Sequence, residues 1–122
     1  MSTVLVIDDD PGMREMMKSM LESAKYQVIL ATSGVAALPL FREHRPDLIL
    51  TDILMPDKDG IETVREIRKL DPEAKIIAVS GGGRAKYTNF LHIAQEFGAT
   101  EVLEKPFRRE ELLSAVARTI KS

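Results

Sequence analysis

No cysteine occurs anywhere in the 122 residues. That excludes disulfides, thiol catalysis and cysteine-ligated zinc or iron–sulfur sites. An excess of basic charge is missing as well, because 17 Lys and Arg stand against 19 Asp and Glu, a formal charge of −2. A general nucleic-acid binder usually carries a net basic face, so direct nucleic-acid binding is not expected. The short basic clusters Arg65-Arg68-Lys69 and Arg108-Arg109 read as solvated helix faces. Long apolar runs are absent too: stretches such as Ile76-Ile77-Ala78-Val79 are far too short to cross a bilayer. Residues 1–7 lack the basic start and the long apolar stretch of a signal peptide. The cytoplasm is therefore the expected location, with no membrane partner.

What is present is ordinary globular material, 44% hydrophobic and without low-complexity tracts, so residues 1–122 are expected to form one domain. Five short β-branched-rich runs recur: Thr3–Ile7, Gln27–Ala31, Asp47–Thr51, Lys75–Val79 and Glu101–Leu103. Helical periodicity fills the spaces between them. Met13, Met16, Met17, Met20, Leu21 and Ala24 share one helix face, and their spacing reads as core packing rather than a partner-binding stripe. Ile61, Val64, Ile67 and Leu70 repeat the pattern, as do Leu112, Leu113, Val116, Ala117 and Ile120. Asp10-Pro11 looks like an N-cap followed by proline at the first helical position. Asp59-Gly60-Ile61-Glu62 has capping-box spacing, and Gly98 closes a fourth helix. Pro39 is discordant inside Val35–Glu43, where a kink or a short second helix is expected. Five alternations of strand and helix mean an α/β, doubly wound parallel sheet of five strands. Of the common strand orders, 2-1-3-4-5 is the expectation; it belongs to the class and does not follow from this chain's residues.

Ligands in such sheets bind beyond the carboxyl ends of the strands, where strand order reverses. There the chain places Asp8, Asp9 and Asp10 after the first strand and Thr32 and Ser33, a turn and cap, after the second. Asp52 follows the third strand, Ser80 with three glycines the fourth, and Lys105-Pro106 the fifth. Neighbouring strands lie about 4.8 Å apart, which forces Asp8 and Asp9 close to Asp52. At about 5 Å, two unit charges repel by roughly 3 kcal/mol at an effective dielectric near 20. A fold keeps such a cluster when a cation sits in it, a proton is shared, or solvent screens it. Hard oxygen ligands in a small, partly open site suit Mg²⁺. Asp10 reads instead as a cap. Lys105 can pair with the carboxylates at rest and with an added phosphoryl group later.

These residues resemble a two-component response-regulator receiver domain over the whole chain. The carriers are Asp8-Asp9, Asp52-Ile53-Leu54-Met55-Pro56, Asp59-Gly60, Ser80-Gly81 and Lys105-Pro106-Phe107. Chemotaxis receivers are a standing example of the 2-1-3-4-5, flavodoxin-like order, so that order carries no independent weight. The resemblance implies phosphoryl transfer from a histidine kinase, or a histidine phosphotransfer protein, to Asp52. It implies Mg²⁺ on Asp9 and Asp52 directly, with Asp8 partly through water and the Leu54 carbonyl as a further ligand. Ser80 and Lys105 would bind the phosphoryl oxygens, and the Lys105-Pro106 bond would be cis. Such a domain is not an enzyme in the ordinary sense, promoting only its own phosphorylation and dephosphorylation. Its expected output is a downstream protein target reached by protein–protein contact, and a weak homodimer is compatible with it.

One departure stands out. Receivers usually carry an aromatic three residues before the lysine, and here that position is Val102. Coupling is therefore expected to run through Gly81–Gly83 and the helix containing Tyr87, Phe90 and Leu91. Three other readings compete. A haloacid-dehalogenase-like phosphatase would use Asp8, but no Gly-Thr pair follows and no late aspartate pair comes after Lys105. A flavin carrier would need an anion-binding first loop, which Asp8-Asp9-Asp10 would repel. A phosphorylation-independent binding module of receiver fold would not need the complete set. His44 and His92 sit beside neither acidic cluster and read as surface helix positions.

Overall fold

Aliphatic and β-branched runs build the sheet in this computed structural model, which describes residues 2–52, 59–80 and 98–121. The elements run β1 (Thr3–Ile7), α1 (Pro11–Ser23), β2 (Gln27–Ala31), α2 (Gly34–His44), β3 (Leu48–Asp52), α3 (Asp59–Leu70), β4 (Ile76–Ser80), β5 (Glu101–Glu104) and α4 (Arg109–Lys121). All strand pairs are parallel and the order is β2-β1-β3-β4-β5, as expected. The Ile53–Lys58 run with Leu54, Gly81–Gly83 and the expected helix with Tyr87, Phe90, Leu91 and His92 lie outside the described residues.

Strand alternation sorts the core onto the two faces of the sheet. Val4, Val6, Leu48, Leu50, Ile77 and Val79 pack with Met17 and Leu21 of α1 and with Leu112, Ala115 and Val116 of α4. Leu5, Ile7, Ile49 and Ile76 face the other way, against Ala37 and Phe41 of α2 and Val64 and Ile67 of α3. Every residue of β3 is buried, as a central strand covered on both sides should be. The methionine stripe is core: Met17 is buried, while Met13 and Met20 are half-buried against the same cluster.

Local chemistry explains the helix ends. Asp10 Oδ1 accepts from the Gly12 N–H at 2.9 Å, and Pro11 follows it at the first helical position. Ser33 Oγ accepts from the Ala36 N–H at 3.2 Å to start α2. The Arg108 N–H donates to Glu111 Oε1 at 2.7 Å, which caps α4.

Four expectations need correcting. First, α2 is one helix that runs through Pro39 without dividing. Pro39 sits on the exposed side, and the carbonyl one turn back belongs to Val35, 74% exposed, where water can replace the missing N–H. Second, β3 and β4 are shifted one residue onward, ending on Asp52 and Ser80 themselves. Third, α3 begins at Asp59 rather than after it; the expected capping box rests on a side chain outside the described set. Fourth, Arg68 is no solvated face residue. Its guanidinium donates to the backbone carbonyls of Pro72 and Ala74 at 2.7 Å each and to Gly98 at 2.5 Å, tying α3 to the approach to β5.

Candidate functional site

Because β1 pairs with β3 in register up to Ile7 opposite Thr51, the next residue on each strand is an aspartate. Asp8 is fully buried and Asp52 is 6% exposed, whereas Asp9 is exposed. Carboxylate oxygens of Asp8, Asp9 and Asp52 all lie within 4.8 Å of one another. Lys105, just past β5, brings its Nζ to 3.4 Å from both Asp8 Oδ2 and Asp52 Oδ2. The Lys105–Pro106 peptide bond is cis, as expected.

Asp8 is held from several sides. Its N–H donates to the Ala31 carbonyl at 3.2 Å, and its Oδ1 accepts from the Asp10 N–H at 2.9 Å. Its own carbonyl accepts from Arg14 Nη1 at 2.8 Å. Asp10 points its carboxylate into the helix start instead, which agrees with its reading as a cap.

The ledger of charges shows what the cluster lacks. At an effective dielectric near 20, each pair of carboxylates repels by about 3.5 kcal/mol and each lysine contact attracts by about 5 kcal/mol. Three carboxylates crowd together, and the Lys105 ammonium reaches two of them, so the cleft keeps a negative field. Three hard oxygen donors with one exposed member fit a small divalent cation that retains water on its open side.

The family described as response regulator receiver domain matches residues 4–117. The chain belongs to that family. Among relatives of this receiver is the chemotaxis protein CheY of Bacillus subtilis, 35% identical over 118 residues, 96% of each chain. The CheY of Thermotoga maritima is 36% identical over 97% of each chain. A receiver domain structure from Clostridium thermocellum superposes with a TM-score of 0.88 at 32% identity, covering 99% of this chain and 95% of that one. The response regulator TrrA from Thermotoga maritima, solved in complex with Mg(2+)-BeF, has a TM-score of 0.84 at 34% identity, covering 98% of this chain and 99% of that one. CheY-like receivers act in phosphorelay signalling and are signalling proteins rather than classical enzymes. Receiver domains generally bind Mg²⁺ at an acidic pocket.

Of the residues expected from sequence, Asp8, Asp9, Asp52 and Lys105 come together. The Ser80 side chain and the Leu54 carbonyl lie outside the described set. Val102 is half-buried on β5, opposite Ala78 of β4. His44 is an exposed helix residue, as expected. Sequence reasoning missed Arg14. No sequence signal marked it, because its acceptor is a backbone carbonyl.

Proposed function

We propose that this receiver accepts a phosphoryl group on Asp52 from the phosphohistidine of a histidine kinase or phosphotransfer protein, and thereby changes which protein it binds. The observation that carries this reading is Lys105 Nζ, 3.4 Å from both the Asp8 and Asp52 carboxylates at the mouth of the central strands. An Asp52 carboxylate oxygen attacks phosphorus in line. The O–P bond forms as the N–P bond to the donor imidazole breaks, and that electron pair returns to the ring nitrogen. The Lys105 ammonium then trades its carboxylate contact for the new phosphoryl oxygens, and Ser80, the last residue of β4, supplies a hydroxyl to them. Asp8, Asp9 and Asp52 with the Leu54 carbonyl are the ligands we assign to Mg²⁺. When bound, the ion supplies neutralisation of charge on the transferring group. The Mg(2+)-BeF complex of TrrA supports this assignment by relationship. The same reading makes residues 1–122 a single signalling domain, working in the cytoplasm through protein contacts.

Incubation with a panel of radiolabelled phosphorylated histidine kinases tests it. Label should appear on the wild type, be released by hydroxylamine as an acyl phosphate, and be absent from D52N. Label that persists in D52N, or maps to Asp8, would overturn the assignment.

A further inference from the structure

We infer that Arg14 is a positioning residue of the acidic cleft: its hydrogen bond to the Asp8 carbonyl holds the Asp8 carboxylate in its working orientation. The inference rests on reading the cleft as a cation site.

Arg14 is the fourth residue of α1, a helix with no acidic side chain in its first turn. The helix dipole disfavours a cation there, and the neighbouring aspartates favour one. Its half-buried side chain reaches back six residues, and Nη1 donates to the Asp8 carbonyl at 2.8 Å. Asp8 is fully buried, so its main-chain acceptor needs a donor, and an arginine supplies a strong one. The contact is one link in a closed set. The Asp10 N–H fixes Asp8 Oδ1 at 2.9 Å, leaving Oδ2 toward Lys105 at 3.4 Å. The Arg14 N–H in turn donates to the Asp10 carbonyl at 3.0 Å. Arg14 therefore grips the β1–α1 turn at Asp8 by its side chain and at Asp10 by its backbone. The carboxylate it orients is the one buried most deeply in the cleft.

Two roles for Arg14 predict opposite signs. As a nearby positive charge only, it would repel a cation, and its removal would tighten Mg²⁺ binding. As a positioning residue, it keeps a ligand aimed, and its removal loosens binding. Residues that orient metal ligands typically contribute about tenfold or more in affinity.

The test is calorimetric titration of Mg²⁺ into the wild type, R14M and R14K, with amide exchange at Asp10 followed by NMR in EDTA. Methionine keeps the stem but not the donor, while lysine can still give one hydrogen bond to the same carbonyl. The expected result is about tenfold weaker Mg²⁺ binding in R14M, recovery in R14K, and faster Asp10 exchange in R14M alone. Binding in R14M equal to or tighter than wild type, failure of R14K to recover, or unchanged Asp10 exchange would each overturn the inference. If the wild type itself takes up no Mg²⁺, the cation-site reading falls, and the metal-free Asp10 exchange decides the role of Arg14 alone.

Discussion

At Asp52 two forces of similar size oppose each other. It gains about 5 kcal/mol from Lys105 at 3.4 Å and loses about 3.5 kcal/mol to each of two neighbouring carboxylates within 4.8 Å. Removing the Asp52 charge relieves both repulsions, so D52N should unfold at higher urea than the wild type when EDTA is present. A variant no more stable than wild type there would mean the carboxylates are not in conflict. Glu101 is the opposite case. The Arg118 guanidinium, bonded to it through Nε at 3.0 Å and also through Nη2, holds its carboxyl below the ordinary 4.5; burial acts against this and the Thr119 hydroxyl adds to it. A depressed carboxyl pKa contributes stability that is present above the unfolded value and is lost as pH falls through the folded one. Arg118→Met should therefore lower the melting temperature at neutral pH, with the gap to wild type closing below about pH 4. A gap independent of pH would assign the loss to packing. Charged groups at strand ends were legible in the sequence because their position alone implies a shared edge. Arg14 and Arg68 were not, since their acceptors are backbone carbonyls, which look the same at every residue.

Among the elements, α2 is the one carrying a visible cost. Pro39 takes one N–H out of a continuous helix, yet it lies on the exposed side where water compensates part of the loss. Pro39→Ala should raise the unfolding free energy by about 1–2 kcal/mol, read from urea melts. A destabilised variant would show that the ring packs usefully or that α2 is bent around it. The same helix shows where sequence reading stops. Proline signals a break, but whether the chain breaks depends on Ala37 and Phe41 anchoring the helix to the sheet, which are tertiary contacts. The one-residue shifts of β3 and β4 have a similar origin. Asp47 and Lys75 each touch the sheet by one backbone bond, the Asp47 N–H to the Thr3 carbonyl and the Ile49 N–H to the Lys75 carbonyl. Both are edge residues of the ladder, whose paired register starts at Leu48 and Ile76.

For the molecule as a whole, the strand order brings the cleft together; alternation of strand with helix anticipated a parallel sheet, and the order itself came from the fold class. Binding of Mg²⁺ to the folded form only should raise stability by about 1.4 kcal/mol at ten times its dissociation constant. That gain should appear in urea melts of the wild type and shrink in D52N; an equal gain in both would place the ion elsewhere. The contacts of Lys105 span 97 residues to Asp8 and 53 to Asp52. During synthesis Asp52 therefore leaves the ribosome well before the lysine that pairs with it. A nascent chain carries the carboxylates without their counter-charge, and the cleft closes only when β5 has paired with β4. A donor that needs the assembled cleft would ignore unfinished copies, so the signal would count only molecules whose last strand is already in place.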